Sequence, residues 1–225
     1  MPDRNGKEKR YDSQIYGTFL FYPYAGGRNE DRLDPYGAFY QYPRRKLEAD
    51  ICLISHHHHD HDGVECISGE TEIIDQPGVH QLAHGLRVMG IPTWHDGQSG
   101  SLRGPNLFFV IEVEGMRVGH AGDLGHVPDL PAQKRIGHLD LLMLPVGGYY
   151  TIDAAAAYAT KQALRPTVTV PMHYRTRYDE EMPIAPVEDF LRLTGAKDEQ
   201  MPLLRFTSAD IHLRPQVITL AVEKG

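Results

Sequence analysis

Residues 49–62 read ADICLISHHHHDHD, an apolar run that passes directly into a cluster of histidines and aspartates. A short, continuous apolar run such as residues 49–55 predicts a buried β-strand. The polar cluster therefore lies on the loop that follows the carboxyl end of this strand. Five of the 13 histidines fall within residues 56–61, so this loop holds much of the metal-binding capacity of the chain.

Three further polar residues lie just beyond predicted strands. His95 follows an extended segment over residues 86–94, and Asp123 follows a hairpin whose strands, 106–114 and Met116–His120, join at Glu114-Gly115. His173 lies at the end of a β-branched segment over residues 167–171. In layered α/β proteins, sites are assembled from loops at the carboxyl ends of strands. We therefore expect these three side chains to join the cluster at residues 56–61.

The rest of the chain adds two helices and further strands. A helix is predicted over Ala154–Leu164, with Thr151 as its N-cap and Asp153 in its first turn. A second is predicted over residues 186–193, ended by Gly195. The other predicted strands are residues 17–24, 71–74, 139–146, 203–206 and 217–222.

The spacing within the cluster suits two metal ions. Alternate residues of an extended segment point the same way, so His56 and His58 can reach one ion together. Asp60 and His61 can turn towards a second ion. Imidazole and carboxylate ligands suit zinc, and also manganese or iron. Two complete sites need more ligands from distant segments, and three residues are placed to supply them: His95, Asp123 and His173.

A histidine run can also arise as a tag remnant, or as a solvated loop with adventitious metal affinity. The run is internal and continues as Asp60-His61-Asp62-Gly63, which argues against a tag. His57 and His59 are not expected to be ligands even in a true metal site. The remaining histidines outside the ligand set, His120 included, are expected to have structural or surface roles.

The order of these motifs resembles that of the metallo-β-lactamase fold superfamily. His-x-His-x-Asp-His after a strand is followed by a strand-end histidine, a Gly-Asp pair and another strand-end histidine. Three segments, HAGDLGH (120–126), LPVGGYYTIDAAAA (144–157) and VPMHYRT (170–176), are similar to the branch that contains ascorbate-6-phosphate lactonase and related metal-dependent hydrolases. The resemblance covers about residues 33–195.

The resemblance implies an α/β fold, a four-layer αββα sandwich in which two mixed β-sheets pack face to face with helices outside. One domain is expected over residues 1–225. Residues 1–33 form an atypical N-terminal segment, because nothing in them matches the usual opening of relatives, a strand that leads into Gly-His-Ser and is followed by an apolar strand.

The resemblance also implies a two-metal site at one edge of the sandwich. Asp123 would bridge the two ions, and Asp34 would orient a ligand. Six residues would complete the two sites: His56, His58 and His95 at the first ion, and Asp60, His61 and His173 at the second.

Two divalent ions that share a water lower its pKa, so hydroxide forms near neutral pH. We expect a metal-dependent hydrolase, a lactonase or phosphodiesterase-like enzyme with two zinc or manganese ions, whose metal-bound hydroxide attacks a carbonyl or phosphoryl centre. Asp60 and Asp123 would be catalytic and accept the proton. The sequence lacks a Gly-x-Ser-x-Gly nucleophile motif. The candidate residues for binding a small, anionic substrate flank His95 and His173: Arg103, Arg175, Arg177 and Tyr174.

Two alternatives stay open. The same fold hosts iron-dependent oxidoreductases, although His58 stands where the diiron reductases carry a glutamate. A non-catalytic, metal-binding scaffold would bind the ions and release no product.

Composition limits the partners. The formal net charge is −7, and the only compact basic run is Arg44-Arg45-Lys46, so no nucleic-acid partner is expected. No apolar run is long enough to span a membrane, and MPDRNGKEKR at the N-terminus has no signal-peptide character. Two cysteines without disulfide spacing suit a reducing compartment. We expect a cytoplasmic protein with a small-molecule substrate, and a homo-oligomer is compatible with the sequence.

Overall fold

The computed structural model describes residues 11–13, 31–35, 47–82, 85–178, 180–202 and 204–221. Its largest sheet has six strands in the order β12-β11-β10-β9-β8-β7. In chain order these strands are β7 (Gly78–Gln81), β8 (Arg87–Trp94), β9 (Pro105–Val113), β10 (Met116–His120), β11 (Leu141–Pro145) and β12 (Val168–Met172).

This sheet is mixed. Strands β7 to β10 pair in antiparallel fashion, whereas β10, β11 and β12 run parallel to one another. Because β8 and β10 are both antiparallel to β9, they point the same way. The strands β8, β10 and β12 therefore end at the same edge of the sheet, which is the edge where the sequence places His95, Asp123 and His173.

A second set of strands lies earlier in the chain. The strands β2 (Asp31–Leu33), β4 (Ile51–Leu53) and β6 (Glu72–Ile74) form a parallel sheet in the order β2-β4-β6. Two short pairs complete the strands that the structure describes: β3 (Leu47–Glu48) with β5 (Ile67–Ser68), and β1 (Tyr11–Ser13) with β13 (Leu204–Phe206).

Side chains of both sheets form one hydrophobic core. Leu33, Ile51 and Ile74 from the second sheet belong to the same buried cluster as Phe108 and Phe109 from β9. The strands β9, β11 and β12 are buried along most of their length, as their near-continuous apolar sequences predict. Burial of this size is the main stabilising contribution to the fold.

Three α-helices accompany the sheets in the described part of the chain: α1 (Leu130–Ile136), α2 (Ala154–Leu164) and α3 (Glu188–Thr194). The predicted bounds of α2 are confirmed, but the prediction of Thr151 as its N-cap was wrong. Asp153 is the N-cap, because its carboxylate accepts the backbone N–H of Ala156 at 2.8 Å. Helix α3 begins two residues later than predicted, and Gly195 ends it in a left-handed conformation with φ 70°.

Most predicted strands match to within one or two residues at each end, and the Glu114-Gly115 hairpin is confirmed by positive φ angles at both residues. A strand was predicted over residues 217–222, but the described part of this range, residues 217–221, forms only isolated bridges at Val217 and Leu220. Helix α1 and strand β7 were not predicted, because seven and four residues give too little periodicity. The strand predicted over residues 17–24 lies outside the described residues. In the part of the chain that the structure describes, no helix is long and apolar enough to cross a bilayer.

Candidate metal centre

The predicted ligands meet where the two sheets join. Ser55 follows β4 of the second sheet, and its carbonyl accepts the backbone N–H of Leu107 in β9 at 2.9 Å. Residue Pro105 pairs with Trp94 at the end of β8, so β9 begins at the edge where β8 finishes. This contact brings the loop at residues 56–61 beside His95.

Seven side chains form two groups. Within each group, one possible ligand atom of every residue lies within 4.8 Å of those of the others. The first group, from two loops, consists of His56, His58 and His95. The second group, from three loops, consists of Asp60, His61, Asp123 and His173. The structure therefore brings together all seven residues that the sequence nominated as metal ligands, in the division that the resemblance implied.

Asp123 lies between the two groups. Its Oδ2 is 2.9 Å from Nε2 of His95 and 3.8 Å from Nε2 of His56, both in the first group. Its Oδ1 is 3.2 Å from Nε2 of His61 in the second group, and Oδ2 is also 3.5 Å from Nε2 of His173. One carboxylate thus faces both groups, as a bridging ligand must.

The donor set fits divalent cations. Buried polar atoms normally have hydrogen-bond partners, and each one left without a partner costs about 1–3 kcal/mol. Nε2 of His56, both ring nitrogens of His95 and Oδ1 of Asp123 are buried and make no acceptable hydrogen bond within the described part of the chain. A bound zinc or manganese ion would satisfy these converging nitrogen and carboxylate lone pairs, which lack hydrogen-bond donors.

Asp34 orients one histidine from each group. Its Oδ2 lies 3.0 Å from Nδ1 of His61 and accepts the Ser55 hydroxyl at 2.6 Å. That hydroxyl has one proton, which it donates to Asp34, so the Ser55 oxygen must accept Nδ1–H of His56 at 2.9 Å. The His56 ring therefore carries its proton on Nδ1 and turns Nε2 towards Asp123. Asp34 lies against Nδ1 of His61, whose Nε2 also faces Asp123, which agrees with the orienting role that the resemblance implied for Asp34.

Two of these strand-end residues have an unusual backbone. Asp34 has φ 44° and His173 has φ 50°, in the left-handed region that side chains other than glycine rarely adopt. Backbone strain of this kind accumulates at functional sites, where the surrounding structure holds it in place.

The pKa values of the metal-free form separate the two groups. Burial lowers the pKa of His56 to about 2, and burial also lowers the pKa of His58. Burial would lower the pKa of His61 too, but the Asp123 and Asp34 carboxylates raise it well above its usual value. Asp123 raises the pKa of His173 in the same way. His56 and His58 therefore favour the neutral form, whereas His61 and His173 favour the protonated form.

Asn106 positions Asp123. Its side-chain NH₂ donates to the carbonyl of Ala121 at 2.9 Å and to Oγ1 of Thr93 at 2.7 Å, and its Oδ1 accepts the backbone N–H of Asp123 at 2.9 Å. Gly122 completes this turn with φ +54°, and a Cβ there would lie 2.4 Å from Oδ1 of Asn106. Sequence reasoning missed Asn106, whose one signal was a polar side chain at the start of a buried strand.

Asp96 organises the loop after His95. Its carboxylate is buried and accepts four backbone N–H groups of that loop. Burial alone would raise its pKa, but these four donors hold the pKa at about 2. The sequence analysis also missed Asp96, although an aspartate before a glycine-rich loop is a typical acceptor of turn N–H groups. The donors belong to Gln98, Gly100, Leu102 and Arg103, at 2.7–2.9 Å.

A cavity of about 920 Å³ opens over both groups. Arg103 and Arg177, nominated as substrate residues, line it, whereas Arg175 and Tyr174 line a neighbouring cavity of about 360 Å³. Tyr150 also lines the larger cavity. Four further lining residues were not nominated from the sequence: Tyr178, Glu180, Glu181 and Met182. All four belong to the irregular segment after His173, where sequence periodicity gives no orientation.

The described histidines that were not expected to bind metal lie outside both groups. His57 is exposed and contacts Asp62 at 2.7 Å and Asp75 at 3.2 Å, and His59 is exposed at the cavity rim. His120 is buried, and its Nδ1 accepts the backbone N–H of Gly122 at 3.1 Å. These placements agree with the alternation predicted for the run.

Comparison with known proteins agrees with this arrangement. Residues 27–173 match the family model of the beta-lactamase superfamily domain. The chain belongs to the beta-lactamase superfamily. The resemblance seen in the order of the motifs is thereby confirmed.

Individual members of the superfamily are similar over most of this chain. A protein of Thermococcus onnurineus named UPF0173 metal-dependent hydrolase is 32% identical over 68% of this chain and 78% of its own. Another of that name, from Thermoplasma acidophilum, is 31% identical over 58% of this chain and 68% of its own. The crystal structure of a proposed zinc-dependent hydrolase of the metallo-β-lactamase superfamily from Thermotoga maritima is 28% identical, with a TM-score of 0.76, and covers 96% of this chain and 100% of its own. The metallo-β-lactamase fold predicted from the sequence is thus confirmed.

Proposed function

We propose that this chain is a metal-dependent hydrolase that binds two divalent ions and cleaves a lactone, ester or phosphoryl bond of a small molecule. The observation that carries the proposal is the position of Asp123 between two groups of converging ligand atoms, 2.9 Å from Nε2 of His95 and 3.2 Å from Nε2 of His61. The names of the relatives from Thermococcus onnurineus and Thermoplasma acidophilum support the same reaction class.

The residues divide the work as follows. His56, His58 and His95 would hold one ion, and Asp123 would share its two carboxylate oxygens between both. Asp60, His61 and His173 would complete the second site. When bound, two such ions supply Lewis acidity and a hydroxide nucleophile near neutral pH.

Asp60 would accept the proton that water releases. It is the half-buried member of the second group and lines the cavity, so a substrate can approach it from solvent. Asp123 is buried and faces four histidines, so its main role would be to hold charge and geometry constant. Asp34 and Ser55 would keep the histidine lone pairs aimed at the ions, which spares reorganisation during the reaction.

The experiment uses the full chain loaded with zinc or manganese. Metal content is measured by mass spectrometry, and turnover with γ-butyrolactone, 4-nitrophenyl acetate and bis(4-nitrophenyl) phosphate. We expect about two ions per chain and hydrolysis of at least one substrate, abolished by a chelator and restored by metal. The matched variants are Asp60→Asn and Asp62→Asn. Loss of a proton acceptor costs about 10²–10⁴ in rate, so Asp60→Asn should lose at least 100-fold and Asp62→Asn little.

Two outcomes would overturn the proposal. One is a chain that binds both ions and hydrolyses none of the three substrates, which would favour a non-catalytic scaffold. The other is tight, selective retention of iron with oxygen consumption, which would favour the oxidoreductase alternative. The cytoplasmic location and the homo-oligomer stay predictions of the sequence.

A further inference from the structure

Arg103 differs from the other arginines that the structure places in ion pairs. Arg87, Arg117, Arg192 and Arg214 each lie against an aspartate or glutamate. Arg103 is half-buried in the wall of the large cavity and makes no ion pair with the described residues. A partly desolvated guanidinium without a carboxylate is costly unless a ligand supplies the negative charge.

The contact that Arg103 does make leaves its donors available. Its guanidinium carbon lies 5.7 Å from the centre of the Tyr150 ring, within the range of a cation–π contact. The Arg103 guanidinium donates no hydrogen bond to the side chains or backbone of the described residues, so its planar fork of N–H groups remains available for a planar or tetrahedral anion. The Tyr150 ring thus supports the side chain without using its hydrogen-bonding capacity.

Tyr150 also sets the distance between Arg103 and the metal centre. Its ring lies 6.4 Å from the ring of His173, edge to face at 67°. Arg103 therefore sits one aromatic ring away from the second ligand group, and not within it. A ligand that reaches both must carry its anionic group apart from the bond that is cleaved.

The backbone of Arg103 is held by the loop that carries His95. The N–H of Arg103 donates to Oδ2 of Asp96 at 2.8 Å, and Asp96 directly follows His95. The same carboxylate fixes three other N–H groups of this loop, so the position of Arg103 relative to the metal centre is preorganised.

The other charges of the cavity are less suited to this role. Arg177 is exposed and donates to the hydroxyl of its neighbour Tyr178 at 3.0 Å, with its guanidinium over that ring at 4.8 Å. Glu180 and Glu181 are exposed, so solvent screens their repulsion of an anion.

We propose that Arg103, in cation–π contact with Tyr150, forms an anion-binding subsite of the large cavity, and that it selects substrates with a carboxylate or phosphate group separate from the scissile bond. This inference rests on the proposed function, because it assigns the substrate class of the same cavity. Charge-assisted hydrogen bonds from arginine to such groups contribute about 1.5–3 kcal/mol, so about tenfold or more in affinity depends on this side chain.

The test compares matched ligands on the zinc-loaded full chain. One pair is a γ-butyrolactone with a ring carboxylate and the same lactone with a carboxamide. The second pair is a hydroxymethyl lactone phosphate and its unphosphorylated alcohol. Turnover gives kcat and KM for each, and calorimetry with the ring-opened acids measures binding where no turnover occurs. The two pairs distinguish a carboxylate subsite from a phosphate subsite.

The variants are Arg103→Met, Arg103→Lys and, as control, Arg135→Met on the exposed face of α1. Wild type should prefer the anionic member of at least one pair at least tenfold, in KM or in calorimetric affinity. Arg103→Met should remove most of that preference and Arg103→Lys should keep part of it, because lysine keeps the charge without the planar fork. Arg135→Met should behave as wild type. Zinc content and thermal melting verify that each variant folds. If Arg103→Met does not fold, the anion preference of Arg103→Lys tests the subsite instead.

The outcomes separate the two proposals. Hydrolysis without an anion preference, or with a preference that survives in Arg103→Met, overturns the subsite and leaves the hydrolase standing. An Arg103-dependent affinity for the ring-opened acids without hydrolysis of any lactone or of the test esters supports the subsite and overturns the hydrolase.

Discussion

Nδ1 of His61 lies 3.0 Å from Oδ2 of Asp34, and both side chains are completely buried. The same carboxylate holds the Ser55 hydroxyl, which in turn accepts from His56. One residue outside both ligand groups therefore sets the orientation of a histidine in each. The strand β2 ends at Leu33, so the position of this carboxylate depends on the parallel pairing of β2 with β4.

Asp34→Asn tests that relationship. An amide has one acceptor oxygen and no charge, whereas the Asp34 carboxylate accepts from the Ser55 N–H and the Ser55 hydroxyl and lies 3.0 Å from Nδ1 of His61. Loss of a residue that orients metal ligands typically costs about 10–100-fold in metal affinity, and we expect a loss in that range at both sites. Competition with a fluorescent zinc chelator measures it. Asp62→Asn, on the exposed contact with His57, is the control, and a wild-type affinity in Asp34→Asn would contradict the orienting role.

Asp123→Asn and Asp123→Ala should weaken both metal sites. The reason is geometric: Oδ2 faces His95 in one group, whereas Oδ1 faces His61 in the other. His95→Ala removes a ligand of the first group only and should lower metal content by about one ion per chain, because a site with two imidazoles left holds zinc weakly. Metal-to-protein ratios after dialysis decide. Two tightly held ions in both Asp123 variants would rule out a bridging carboxylate.

Alanine replacements along residues 56–59 distinguish a built site from histidine richness. His56 is buried and His58 half-buried in the first group, while His57 and His59 are exposed. We expect His56→Ala and His58→Ala to empty the first site, and His57→Ala and His59→Ala to keep metal content near wild type. Ratios are measured after dialysis against a weak chelator. Equal, graded losses in all four variants would indicate adventitious binding by the cluster.

Metal binding should depend on pH unequally at the two sites. In the metal-free form the pKa values of His61 and His173 are raised, so both rings hold protons at pH 6.5, and a cation must displace them. Affinity at the second site therefore rises with pH, by up to tenfold per unit for each proton displaced. His56, with a pKa of about 2, is already neutral, so the first site should release fewer protons.

Calorimetry in two buffers with different ionisation enthalpies counts the protons released per ion. In wild type the two ions should differ in proton release. His95→Ala, which weakens the first site, should retain the step that releases more protons, and Asp60→Asn should weaken that step. An equal release at both sites, or an affinity independent of pH, would contradict the separation of the groups.

Several features of the site follow from local sequence. An apolar run that ends in His-x-His-x-Asp-His predicts both the buried strand and the alternation of His56 and His58 against His57 and His59. The alternation involves residues two positions apart, and over that distance backbone geometry alone fixes the direction of the side chains. The bounds of α2 also follow from local sequence, because an alanine-rich segment is ended by Arg165-Pro166.

The sequence by itself determined which residue types follow which strands, and so nominated all seven ligands. Only the tertiary structure decided that Asp123 stands between the two groups, that Asp34 and Ser55 orient His56 and His61, and that Arg103 enters the cavity while Arg175 does not. These relationships join segments far apart in the chain. Their distances depend on strand direction, on register between β8 and β9, and on the packing of two sheets, all of which are collective properties of the fold.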